Sequence, residues 1–97
     1  MMDLAIISKA WDLDGFFGKL RNGELDSVLA NELYTALLQI HIEEDEVYLD
    51  RELVKFIWYI PSFMSWQRDR CDADRLKEFD AIEGKLFNAI EAILDFP

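Results

Sequence analysis

The sequence predicts an all-α fold, a four-helix antiparallel bundle in one domain over residues 1–97. Three observations lead there. Glycine and proline are scarce, at four and two residues. Long stretches carry apolar side chains at intervals of three and four, the period of a helix with one buried face. No alternating apolar runs flank a two-residue turn of the Asn-Gly type, so nothing signals a hairpin. A chain of 97 residues sustains one core and buries roughly two-thirds of its unfolded surface. Seven Phe, three Trp and three Tyr within a hydrophobic fraction of 52% place it well away from disordered composition.

The elements follow in order. Leu4-Ala5-Ile6-Ile7 is apolar but short. The apolar phase changes near Trp11 and resumes at Leu13, Phe16, Phe17 and Leu20, which predicts a first helix broken near Asp12. Asp12 is the expected cap of its second piece, and Asn22-Gly23 closes it with residues that tolerate left-handed dihedrals. The second helix begins after Asp26 as N-cap. It carries Leu29, Leu33, Leu37 and Ile40 on one side and Glu32, Thr35 and Gln39 on the other, and stops near Ile42. Asp50 caps the third helix, with Leu49 and Val54 as its hydrophobic staple. Pro61 lies within that helix's periodic run, lacks a donor and clashes with the preceding turn, so the helix kinks or restarts there. Asp72 and Asp74 offer caps for the last helix, whose apolar positions are Leu76, Phe79, Ile82, Leu86, Ile90 and Ile93 and which ends near Asp95. Gly84 inside it costs about 1 kcal/mol against alanine and points to a close helix crossing.

Composition narrows the function. Twenty acidic against ten basic residues give a net charge of −10, which repels nucleic acid and anionic membrane and favours a basic partner. Cys71 is the single cysteine, so no intrachain disulfide forms and a reducing compartment fits. Arg68, Arg70 and Arg75 flank it, yet no base lies near it in sequence to make a reactive thiol. The start of the chain lacks the pattern of a signal peptide, and no run approaches the roughly 20 apolar residues of a membrane span. The expected location is the cytoplasm.

No motif carries catalysis. Asp12-Leu13-Asp14-Gly15 resembles the aspartate-nucleophile motif of haloacid-dehalogenase-like phosphatases. Phe16, however, stands where that motif has Thr or Val, and the chain is far too short for the α/β domain the chemistry needs. Read as a calcium loop, the same stretch puts Arg21 where the bidentate acid belongs. His41 beside Glu43 and Glu44 lacks a second imidazole or thiolate at ligand spacing, so a metal site is not expected. One His and one Cys leave no triad. The expectation is no enzyme, no metal and no cofactor.

The remaining feature is a pairing. The acidic run Glu43-Glu44-Asp45-Glu46 precedes the aromatic stretch from Phe56 to Trp66. On a helical wheel at about 100° per residue, Phe56, Ile57, Tyr59, Ile60, Phe63 and Met64 share one arc, with Trp66 at its edge. Trp58 falls opposite, among Arg51, Lys55, Ser62, Ser65 and Asp69. An indole on a polar face adds nothing to a monomer core but suits an interface anchor. The candidate partner-binding residues are therefore Glu43, Glu44, Asp45, Glu46, Tyr48, Trp58, Tyr59 and Trp66. Carboxylates would speed the encounter and aromatics would hold the complex.

Trp58-Tyr59-Ile60-Pro61, downstream of an acidic second-helix end, resembles the small acidic four-helix immunity proteins of nuclease colicins, which place a tyrosine pair and a proline after an acidic helix. Here one residue intervenes before the proline, the third helix is longer, and no aspartate adjoins the aromatic pair, so no individual binding role is transferred. Immunity proteins of contact-dependent inhibition are similar in size and charge. The resemblance implies a cytoplasmic inhibitor that neutralises a basic toxin. The expectation built on it is a bacterial immunity protein, monomeric or weakly dimeric, that occludes the toxin's substrate surface or covers an exosite beside it. The alternative is a helical adaptor or homodimer that uses the aromatic face for self-association.

Overall fold

A computed structural model describes residues 4–40 and 51–94. Among the described residues every regular element is helical: α1 (Leu4–Lys9), α2 (Phe16–Arg21), α3 (Ser27–Leu38), α4 (Arg51–Ile57), α5 (Ile60–Gln67) and α6 (Leu76–Leu94), with 3-10 turns at Arg68–Arg70 and Ala73–Arg75. The long helices α3 and α6 pack on each other. α1 lies against α3 and α4, α5 against α6, and α2 against α3. No helix among the described residues is long and apolar enough to cross a membrane.

The N-terminal break falls where the apolar phase changes, but Asp12 is not its cap. The N-cap of α2 is Gly15, without a side-chain hydrogen bond. The Asp12 carbonyl accepts from Gly15 N at 2.9 Å, and Phe17 N donates back to the Ala10 carbonyl at 2.8 Å. These bonds fold residues 10–15 tightly onto the start of α2, and two glycines make that possible. A Cβ on Gly15 would overlap the Lys9 carbonyl oxygen, and one on Gly18 would overlap the Asp12 carbonyl oxygen. Helix α2 ends as expected at Asn22-Gly23. Gly23 has φ +83°. Its N–H donates to the Leu20 carbonyl at 2.9 Å, and Glu24 N donates to the Lys19 carbonyl at 3.0 Å, the paired bonds of a Schellman end.

Asp26 caps α3 as its position predicts: its Oδ1 accepts from Leu29 N at 3.0 Å. Leu33 and Leu37 are buried, but so are Ala30 and Ala36, while Leu29 and Ile40 are half-buried. The inner face is thus turned toward the small residues, which let a neighbour approach the α3 backbone. The helix stops at Leu38 rather than near Ile42, where its last turn tightens through bonds from Gln39 N to Ala36 O and from Ile40 N to Leu37 O, both 3.2 Å. The expected Asp50 cap and Leu49 staple lie outside the described residues.

The third-helix stretch, read as kinking or restarting at Pro61, is two helices. α4 stops at Ile57, Trp58 and Tyr59 form the join, and Pro61 stands in the first turn of α5, where its missing donor costs nothing. Entry to α6 also departs from the sequence reading. Asp72 makes no side-chain cap bond; its carbonyl accepts from Arg75 N at 2.9 Å in the 3-10 turn. Arg75 then holds this end of α6 through Nη1 to the Leu25 carbonyl at 2.6 Å and through Nη2 to Glu78 at 2.9 Å. Phe79, Leu86, Ile90 and Ile93 are buried along α6 as their spacing requires. Gly84, expected at a close crossing, is exposed instead, and a Cβ there would meet nothing within 4 Å.

Two ion pairs give the fold a defined acid sensitivity. The Leu29 amide and then Lys19, whose Nζ lies 3.1 Å from Asp26, hold the Asp26 carboxyl below its usual range. The bidentate Arg68 guanidinium, at 2.9 and 3.1 Å, does the same for Asp80. A depressed carboxyl stabilises the fold above its unfolded value, about 3.9, and that contribution is lost as pH falls through the folded value. Asparagine keeps the α3 cap but not the charge. The Tm deficit of Asp26→Asn should therefore be full above about pH 5 and shrink below about pH 4, when wild type is protonated as well. A deficit constant down to pH 2 would remove Lys19–Asp26 from this account.

Candidate protein-interaction face

The join between α4 and α5 builds the surface of interest. The final carbonyls of a helix lack intrahelical donors. Here the Phe56 carbonyl, in the last turn of α4, accepts from Trp11 Nε1 at 2.9 Å. The Trp11 ring stacks on Phe17 at 4.1 Å and 24°, meets Phe63 edge-on at 5.2 Å and faces Tyr59 at 6.0 Å. Tyr59 in turn has Trp58 at 5.4 Å and Trp66 at 5.9 Å. The aromatics thus run outward from buried Phe17 and Phe63, through half-buried Trp11 and Tyr59, to two tryptophans in solvent.

Trp58 is 59% and Trp66 64% exposed. Both figures are high for residues of this size beside a well-filled core: Ile57, Ile60, Phe63 and Met64, their neighbours in sequence, are all buried. The Tyr59–Trp66 contact is edge-on, a favourable arrangement, and a tilted contact seats Trp58 beside the same tyrosine. Anchors ordered before binding lose little side-chain entropy when a partner covers them.

The structure thus brings together Trp58, Tyr59 and Trp66. Glu43, Glu44, Asp45, Glu46 and Tyr48 lie outside the described residues, as does His41. Two contributors were not legible in the sequence. Trp11 is the hub of the stack, although its position marked only a change of apolar phase. Arg21 and Lys55 join Trp11, Phe56, Trp58 and Tyr59 around an open depression of about 390 Å³ beside the exposed indole. The Arg21 guanidinium lies 5.2 Å from the centre of the Phe63 ring and Lys55 Nζ 5.6 Å from that of Phe56, both within cation–π range. The wheel had placed Lys55 near Trp58, but Arg21 comes from α2.

Other features hold less. Asp12 and Asp14 line a cleft of about 380 Å³ together with Glu32 and Lys9, yet among the described residues no three His, Cys, Asp or Glu side chains are placed to hold a metal ion. Burial pushes the Cys71 thiol up, and this outweighs the opposing pull of Arg75, so the flanking arginines do not activate it. A further cleft of about 250 Å³ between α3 and α6 is lined by Tyr34, Ile82 and Lys85 among others. No protein-family model, curated protein or solved structure matches this chain.

Proposed function

We propose that this protein is a non-enzymatic binding inhibitor, the immunity partner of a basic bacterial toxin acting in the cytoplasm. It occludes the toxin's substrate surface with the Trp58–Tyr59–Trp66 face and the acidic run Glu43-Glu44-Asp45-Glu46. In this reading the helices form a four-helix antiparallel bundle whose third member, α4 with α5, bends at the Trp58–Tyr59 join just before Pro61. The observation that carries the proposal is the pair of tryptophans exposed at 59% and 64% on a stacked aromatic base. Tryptophan is among the residue types enriched at interface hot spots. Net charge of −10 supplies the attraction to a basic partner.

The test begins with the upstream reading frame, which should encode a secreted protein with a basic C-terminal domain. Binding of that purified domain is followed at two salt concentrations. Trp58→Ala should speed dissociation and weaken binding roughly thirtyfold, the equivalent of about 2 kcal/mol. Neutralising Glu43, Glu44, Asp45 and Glu46 should slow association and flatten its salt dependence, because salt screens exposed charges over about 10 Å at 0.1 M. Unchanged rates in both variants would defeat the proposal. A salt-insensitive homodimer that Trp58→Ala dissociates would select the self-associating adaptor instead.

A further inference from the structure

The aromatic depression has a charge opposite to that of the chain. The protein carries twice as many acids as bases, yet among the described residues the charged side chains lining this depression are Arg21 and Lys55. Lys19, Arg68 and Arg75 are each engaged by carboxylates. Arg21 and Lys55 are placed over aromatic rings. We infer that this depression receives an acidic side chain presented next to an aromatic one by a protein partner. The inference rests on the reading of this face as a protein interface and specifies what the partner must offer there.

Three physical points select this occupant. The walls, Trp11, Phe56, Trp58 and Tyr59, offer stacking surface for a ring. The two cations offer charge-assisted hydrogen bonds to a carboxylate, and these strengthen once a docked partner excludes water. The volume, about 390 Å³, is near the small end of ligand sites and fits one or two side chains. A polyphosphate chain would suit the same cations and rings locally, but it would meet the field of a chain with net charge −10 along its whole length. A single carboxylate on a basic partner meets no such opposition. An isolated acid in an otherwise basic contact also fixes the register of docking, because a misplaced approach leaves it facing like charge.

The test uses two capped dipeptides, acetyl-Phe-Asp-amide and acetyl-Phe-Asn-amide, titrated into the full-length protein while its indole N–H resonances are followed by NMR. Phe-Asp should saturably shift the Trp11 and Trp58 signals, with Phe-Asn binding about tenfold more weakly for want of the charged acceptor. Arg21→Gln and Lys55→Gln together should abolish that difference while the remaining spectrum stays native. Equal affinity of the two dipeptides would overturn the acidic occupant but leave an aromatic interface. No shift by either up to millimolar concentration would count against both. Tighter binding of a single-stranded oligothymidylate to the same signals would replace the protein partner with nucleic acid.

Discussion

Gly18→Ala should destabilise the protein by about 3 kcal/mol or more, the upper end of what overpacking a filled interior costs. The group that a new methyl meets is backbone: the Asp12 carbonyl oxygen overlaps it, and Leu13 Cα lies 2.7 Å away. No rotamer change relieves such a contact. Either α2 moves off the 10–15 turn, or the turn opens and loses the bond from Phe17 N to Ala10 O. By thermal unfolding the loss corresponds to a fall in Tm of at least roughly 12 °C for a domain of this size. Gly84→Ala is the matched control with the opposite sign. Its Cβ enters open space on the exposed side of α6, so the helix gains up to about 1 kcal/mol from the better helix former. If both variants shift Tm in the same direction, the packing assigned to α2 is wrong.

Trp11→Ala should cost about 3 kcal/mol, the low end for a large aromatic truncation because the ring is only half-buried. It removes the stack on Phe17 and the contact with Phe63. It also leaves the Phe56 carbonyl without its indole donor. Trp11→Phe separates these effects, since a ring remains but the donor does not; the expected cost is about 1 kcal/mol. Tyr59 rests against Trp11 and carries both exposed indoles, so Trp11→Ala should also blur the Trp58 and Trp66 environments. Their fluorescence should show greater acrylamide quenching in the variant even at temperatures where it is folded. Quenching equal to wild type would mean that the outer tryptophans do not depend on the stack.

Much of the fold was legible because it depends on neighbours in sequence. The Asp26 cap, the Asn22-Gly23 stop, the break in the first helix and the inner face of α6 each follow from residues within one or two turns of each other. Departures occur where a distant group intervenes. Asp12 lost its capping role because its carbonyl, folded against Gly15 and Gly18, sets the start of α2. Gly84 signalled a crossing by its cost alone, whereas the glycines that do permit close approach sit in the N-terminal turn. The site divides the same way. Trp58 stood apart on a helical wheel and is exposed, as the polar sector required. Trp11 and Arg21 reach the same surface from another part of the chain, and no periodicity within α4 and α5 reports them.

What the sequence by itself determined is the all-helical character and the presence of aromatic area beyond a small core's needs, since both follow from local periodicity and composition. Only tertiary structure decided which aromatics form the exposed face and what charge surrounds it. Net charge is a sum over the whole chain, and the sum is strongly negative. Among the described residues, the charge beside Trp58 comes instead from side chains that α2, through its contacts with Phe63 of α5, and α4 place there. Those are Arg21 and Lys55, because Coulomb forces act over distances in space that sequence separation does not measure.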